Sequence, residues 1–216
     1  AMKYRLSICI PTLNRGSYIG ETLGSIVSQW EDGIEVVIVD GGSTDDTEQV
    51  VTSFQERFPG IRYVKKGSSE KQPSNEGFDR DCDHSVVLAE GEYCWLMTDD
   101  DLLKPGALKK ILSETEKDHA VIVANAEVMN NDFTELLIHK RPAILQDRTF
   151  EPGEWNGFAS TVGSHLTFVG AVIIMRQLWL SRNREKYYGS GFIHVGVIFD
   201  EPINGTILVT ADPLVS

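Results

Sequence analysis

The sequence predicts an α/β domain built on a mostly parallel central sheet, and three observations carry that prediction. Short runs rich in β-branched residues alternate with segments of helical periodicity from residue 5 to about residue 130. Five of the six residues of IEVVIV (34–39) are apolar, as expected of a parallel strand covered on both faces. The 216 residues, 41% hydrophobic and 24% charged, have the length and balance of one globular domain with a substantial core.

The elements follow in order. RLSICI (5–10) is the first strand, and Ile19, Leu23, Ile26, Val27 and Trp30 then fall on one helical face. After the strand 34–39, Ser43 is the expected N-cap of a helix on which Val50, Phe54 and Phe58 recur every fourth residue. IRYV (61–64) is a third strand, followed by a helix expected from about Asn75 to Glu90 and stopped by Gly91. EYCWLM (92–97) is the fourth strand. A helix opened by Pro105 carries Leu108, Ile111 and Leu112. Residues 119–129 form a fifth strand or a strand pair. Strands are expected again at 165–175 and 205–211, with a helical stretch at about 176–186 between them.

The formal net charge of -12, with no Lys/Arg-rich stripe to offset it, argues against a nucleic-acid partner and against binding an anionic membrane surface through this segment. Cys9, Cys82 and Cys94 are odd in number and form no C-x-x-C pair. They are expected to be free thiols, as in a reducing cytoplasm. No run of 18 apolar residues offers a membrane span, and the first hydrophobic run is strand-length rather than leader-like, which sets a cytoplasmic expectation.

In an open parallel sheet, ligands bind beyond the C-terminal strand ends, where strand order reverses. Three polar clusters stand at such ends: PTLNR (11–15), DGGSTDD (40–46) and TDDD (98–101). Three adjacent aspartates alone read as a solvated acidic turn, with Asp100 or Asp101 capping the next helix. Beside two other polar strand ends they read as a hard-cation site, because Mg²⁺ and Mn²⁺ prefer carboxylate oxygens and cancel the repulsion between them. A dinucleotide-binding unit does not fit: DGGSTDDT lacks the third glycine of G-x-G-x-x-G and sets acids where a pyrophosphate would lie.

SICIPTLNR, VVIVDGGSTDDT and AEGEYCWLMTDDDLLKPGAL, in that order, resemble the successive signatures of family 2 glycosyltransferases with the GT-A fold, and the last is similar to the abequosyltransferase-like branch. The resemblance covers residues 5 to about 130. It implies a Rossmann-like single domain with residues 2–130 as the nucleotide-sugar-binding half. Residues 131–216 would then be the acceptor-side half, expected to continue past Ser216. It further implies that Pro11, Thr12, Leu13, Asn14 and Arg15 wrap the nucleoside, that Asp40 accepts a hydrogen bond from base or ribose, and that Arg80 lies beside the nucleotide. Asp99 would face the ribose and sugar, and Asp99 and Asp100 would hold Mn²⁺ or Mg²⁺ on the diphosphate. Thr98 stands where the family carries the first aspartate of D-x-D. The partners implied are a nucleotide-diphosphate sugar and a saccharide or lipid-linked acceptor.

Glycosyl transfer passes through an oxocarbenium-like state while negative charge gathers on the leaving diphosphate, so a Lewis-acidic cation belongs there. The acceptor hydroxyl attacks from the opposite face, inverts the anomeric centre and needs a general base. Many relatives supply that base from a Glu-Asp pair opening a late helix. GSGFIHVGVIFDEP (189–202) has no such pair, and His194 occupies the position as candidate base or third metal ligand, with a structural histidine as the alternative. Asp200 is the second candidate base. Trp155, in a glycine-bearing connection, is a candidate aromatic platform for sugar. The patch His139–Arg141 is a solvated face or a contact for an anionic acceptor. Trp30, Trp95 and Trp179 are expected in the core, and His84, His119 and His165 to be structural. Two other readings stand beside the transferase: a sugar-nucleotide nucleotidyltransferase, which would need a glycine-rich basic loop after the first strand, and a binding module that lost its base.

Overall fold

The computed structural model describes residues 4–67, 77–130 and 134–216. Four strands, β1 (Tyr4–Thr12), β2 (Ile34–Asp40), β3 (Ile61–Lys65) and β4 (Gly91–Leu96), pair in parallel in the order β3-β2-β1-β4. Helices α1 (Gly16–Val27), α2 (Thr47–Gln55) and α3 (Phe78–Leu88) make the crossovers, and α4 (Ala107–Thr115) follows β4. The chain winds outward from β1 to β3 and returns on the other side of β1, so the strand order reverses between β1 and β4. The polar ends of these two strands open on that crevice.

The rest of the chain extends the same sheet. β5 (Val121–Met129) and β9 (Ile207–Val215) run parallel to each other. β8 (Val172–Met175) lies between β4 and β5, antiparallel to both. β7 (Arg148–Phe150) closes the far edge against β9, and β6 (Leu136–Arg141) forms a ribbon with β5. Helices α5 (Trp155–Val162), α6 (Arg176–Ser181) and α7 (Ile193–Phe199) complete the chain.

Two apolar layers sandwich the sheet. Leu6, Ile8 and Ile10 of β1 alternate onto the face covered by Ile19, Leu23 and Ile26 of α1, with Trp95 and Leu108. Cys9 and Val37 point to the opposite layer with Cys82, Val86, Phe158, Trp179 and Val197. This two-sided burial is why β2 is apolar between Val36 and Val39, while Glu35, also buried, accepts from the Ser7 hydroxyl at 2.6 Å. Trp95 and Trp179 are core residues as expected, and Trp30 packs on Phe58. The three cysteines are buried and free, and burial pushes the Cys82 and Cys94 thiols up.

Several expected boundaries move. Ser43 does not cap α2, which starts at Thr47, because the Ser43 hydroxyl turns inward to Asp40. The described part of the third helix begins at Phe78, and the expected start at Asn75 lies outside the described residues. Residues 165–175 are not one strand. Two 3-10 turns, Gly163–Thr167 and Val169–Ala171, precede a four-residue β8. The chain is folded against itself there, since a Cβ on Gly170 would lie 2.6 Å from the Phe168 ring and 2.7 Å from Asp101 Oδ2. Trp155 opens α5 rather than lying in a connection. Its ring packs on Phe158 and Phe199.

Candidate functional site

The site is assembled by stitching the loop after β1 to the loop after β2. Asn14 adopts a left-handed conformation with φ 54°. Its amide N–H donates to Ser43 Oγ at 2.8 Å, and its Oδ1 accepts the Thr44 N–H at 2.8 Å. The Arg15 N–H donates to Thr47 Oγ1 at 3.0 Å and the Gly16 N–H to Asp45 Oδ2 at 3.0 Å. A Cβ at residue 16 would lie 1.9 Å from Asp46 Oδ1, so a side chain there would displace the Asp46 carboxylate. Bonds from Thr47 and Gly16 hold the Asp45 carboxyl below the usual range.

With its backbone pinned, Arg15 reaches the end of β4. Its Nε donates to Asp99 Oδ1 at 3.0 Å and its Nη2 to Asp100 Oδ2 at 2.5 Å, while its guanidinium carbon lies 4.7 Å from the Tyr18 ring centre. Thr12 Oγ1 donates to the other Asp99 oxygen at 2.7 Å, and Thr98 Oγ1 to the other Asp100 oxygen at 2.8 Å. All four carboxylate oxygens therefore have protein partners. Burial raises Asp99 above the usual carboxylate range, against the pull of Thr12 and Arg15. Burial pushes the neighbouring Asp101 carboxyl up to about 6, although Thr98 N–H donates to it. The Asp99 bond raises Arg15 above its ordinary value.

Two cavities meet at this cluster. The first, about 380 Å³, is lined by Pro11, Thr12, Leu13, Phe78, Asp81 and Asp99. The second, about 400 Å³, is lined by Tyr18, Asp101, Glu127, Arg141, His165 and Phe168. Arg15 and Asp100 line both, so their ion pair stands between the cavities. Of the first-loop residues expected around a nucleoside, Pro11, Thr12, Leu13 and Arg15 line the first cavity, whereas Asn14 ties the loops together.

Other expected site residues lie elsewhere. Asp40 is fully buried, and its Oδ1 accepts the Gly42 N–H, the Ser43 N–H and the Ser43 hydroxyl at 2.7–2.9 Å. Its second oxygen accepts from Tyr63, whose phenol is pushed up by burial and by that bond. Asp40 thus folds the loop and presents no free oxygen to a ligand. Arg80 lies over Tyr188, 4.4 Å from the ring centre, and does not line the first cavity. His194 is 1% exposed, and its Nε2 donates to the Leu166 carbonyl at 3.0 Å, leaving Nδ1 buried without a partner. Burial pushes its pKa down to about 4. A ring so enclosed lines neither cavity, and among the described residues no three His, Cys, Asp or Glu side chains converge as a metal cluster. The expected third ligand is therefore corrected to a structural histidine. Asp200 accepts from the Tyr187 hydroxyl at 2.7 Å and lines a separate hollow with Trp155 and Phe199, so it is not placed as the base either.

Sequence reasoning missed the role of DRDCD (79–83). Asp79 accepts the Gly191 and Ile193 N–H groups at 2.8 and 3.2 Å and so caps α7. Asp81 lines the first cavity and pairs with buried Lys66 at 2.7 Å. Asp83 accepts from Trp179 Nε1 at 2.8 Å and pairs with Arg184 at 2.7 Å. The available signal was three alternating acids in a helix that also offers Cys82 and Val86 to the core.

Two hard carboxylates suit a divalent cation that takes its remaining ligands from water and a substrate phosphate. The Arg15 guanidinium, bridging both carboxylates, shows that the pair holds positive charge. Asp99 and Asp100 therefore fit the implied metal, with the Thr98 hydroxyl orienting Asp100.

The profile of "Glycosyl transferase family 2" matches residues 7–182. Abequosyltransferase RfbV of Salmonella typhimurium is 25% identical over 91% of this chain and 62% of its own length. The GalNAc(5)-diNAcBac-PP-undecaprenol β-1,3-glucosyltransferase of Campylobacter jejuni is 29% identical over 56% of this chain and 38% of its own. Among solved structures, S. aureus TarS 1-349 in complex with UDP has a TM-score of 0.76 at 19% identity, over 98% of this chain and 59% of that one. The mannosyltransferase PcManGT of Pyrobaculum calidifontis, in complex with GDP-Man and Mn²⁺, has a TM-score of 0.60 at 19% identity, over 97% and 58%. These structures share the GT-A fold with this chain. The chain spans about three-fifths of the length of the abequosyltransferase and of the TarS 1-349 fragment.

Proposed function

The chain belongs to glycosyl transferase family 2, and we propose that it carries the donor site of a glycosyltransferase that moves a sugar from a nucleoside diphosphate to a hydroxyl acceptor in bacterial glycan assembly. The observation that carries the proposal is the pair of cavities sharing Arg15 and Asp100. Donor and acceptor must meet at one anomeric carbon from opposite faces, and two cavities joined at the charged cluster provide that arrangement.

In this reading Pro11, Thr12, Leu13 and Asp81 bound the nucleoside, and Asp99 and Asp100 face the diphosphate. A divalent cation, Mn²⁺ or Mg²⁺, held by Asp99 and Asp100 would neutralise charge on the leaving group. Arg15 adds a planar fork suited to phosphate oxygens. The acceptor enters the second cavity, and attack from there inverts the anomeric centre. The base belongs to that cavity, where Asp101 and Glu127 are the carboxylates not engaged in donor binding. Residues 2–130 are the donor half and 131–216 the acceptor half in this reading, although Phe168 and His165 from the second half line the shared cleft. TarS crystallised with UDP and PcManGT with GDP-Man and Mn²⁺, which supports a nucleotide donor without choosing its base. Among the described residues, no helix is long and apolar enough to cross a membrane.

The test is turnover of UDP-, GDP-, CDP- and dTDP-sugars with Mn²⁺ and with chelator, following release of the nucleoside diphosphate. Metal-dependent release from one donor is expected. Tight binding of a donor with no release over hours would instead assign a binding module.

A further inference from the structure

We propose that Arg15 is the counter-cation of the aspartate pair, so that a divalent cation enters only together with a diphosphate that takes the guanidinium over. The inference rests on the reading that a nucleoside diphosphate occupies the first cavity. Adjacent carboxylates normally attract a metal because their repulsion is unrelieved. Here it is relieved. Arg15 bonds one oxygen of each carboxylate at 3.0 and 2.5 Å, and the hydroxyls of Thr12 and Thr98 hold the other two. A metal binding alone must compete with two charge-assisted hydrogen bonds and place a second cation beside the guanidinium.

The guanidinium is also placed for a handover. Its backbone is anchored through Thr47 and its carbon rests 4.7 Å from the Tyr18 ring centre, so the head group turns on a fixed stem. It lines both cavities, and phosphate oxygens arriving in the first would meet its donor fork directly. The ligand that frees the carboxylates for the metal is therefore the one the metal must bridge. Metal and diphosphate then bind with positive coupling, and linkage requires each to tighten the other by the same factor. Opening the Arg15–Asp100 pair at that moment also removes the partition between the cavities, bringing the donor's reacting end into line with the acceptor side.

Electron paramagnetic resonance of free Mn²⁺, titrated into the full chain alone and with each of UDP, GDP, CDP and dTDP, tests this. In the wild type, Mn²⁺ alone is expected to bind weakly, and at least tenfold more tightly with the nucleotide that fits. In Arg15→Gln, Mn²⁺ alone is expected to bind at least tenfold more tightly than in the wild type, with the enhancement by nucleotide largely gone. Arg15→Lys, which keeps the charge, is expected to stay weak for metal alone. Should Arg15→Gln fail to fold, Tyr18→Ala loosens the same guanidinium and is expected to give about a threefold gain. Unchanged metal-alone binding in Arg15→Gln, or in Tyr18→Ala where that replaces it, overturns the proposal. A wild type in which no nucleotide tightens Mn²⁺ overturns the donor reading and the coupling, while a metal-alone gain in Arg15→Gln would still identify Arg15 as the counter-cation.

Discussion

The two halves of the sheet hold their polar residues in opposite ways. At the rim of β1, β2 and β4, polar side chains cross between loops: Asn14 to Thr44, Arg15 to Asp99 and Asp100, Thr12 to Asp99. In the region around β5, β8 and β9, polar side chains instead secure the interior. His165 bonds the Ala124 carbonyl, His194 the Leu166 carbonyl, and Asn125 the Ala211 carbonyl. Loop-to-loop bonds gather charged side chains at the strand ends, whereas side chain-to-carbonyl bonds satisfy buried backbone oxygens.

The comparison can be broken most severely in the shared core. Trp95 is fully buried on β4 where the halves join, with Nε1 donating to the Gly170 carbonyl at 2.9 Å. Trp95→Ala is expected to destabilise the whole chain by about 3–5 kcal/mol, in a single urea transition. Two separated transitions would show that the halves fold independently.

Acid should act on the architectural half. His194 has a folded pKa of about 4, below the ordinary histidine value of 6.5, so the folded state favours the neutral ring. Its contribution is fully present above about pH 6.5 and is lost as pH falls through 4, reaching roughly 3 kcal/mol. His194→Gln should flatten that part of the stability–pH curve between about pH 7 and 4, and an unchanged slope would show that the ring is not buried neutral.

Cutting a stitch at the rim should have a smaller effect. Asn14→Ala removes the bond to Thr44 and places alanine at a positive φ, and is expected to cost about 1–2 kcal/mol and to weaken nucleotide binding about tenfold. A loss of stability with undiminished nucleotide affinity would separate the stitch from the site. The smallest effect is expected at the edge strand, where Leu137 is 57% exposed. Leu137→Lys should change stability by no more than about 0.5 kcal/mol, and a larger loss in a melting experiment would reveal a contact made by this strand.

How much the sequence disclosed follows the same division. The parallel strands β1, β2 and β4 were legible because burial on both faces leaves predominantly apolar runs, and the rim was legible because polar clusters stand where those strands end. The inward turn of Asp40 was not, since a carboxylate at a strand end looks alike whether it meets a ligand or three groups of its own loop. Residues 165–175 read as a strand because their apolar content is strand-like, yet the chain forms two 3-10 turns there and Gly170 packs closely against the Phe168 ring and Asp101. His194 matched a position in the order of motifs, but position along the chain does not reveal that the ring points toward Leu166. The insertion of antiparallel β8 between β4 and β5 depends on long-range pairing that no local pattern encodes.

The most direct measurement is calorimetric titration of UDP, GDP, CDP and dTDP with Mn²⁺ and with EDTA, on the wild type and on Asp100→Ala. One nucleotide is expected to bind in the presence of Mn²⁺, with affinity reduced on the order of a hundredfold, about 2.7 kcal/mol, by EDTA or by the substitution. Binding by the wild type that is indifferent to both EDTA and Asp100→Ala, or no binding of any nucleotide, would contradict a donor site built on the aspartates after β4.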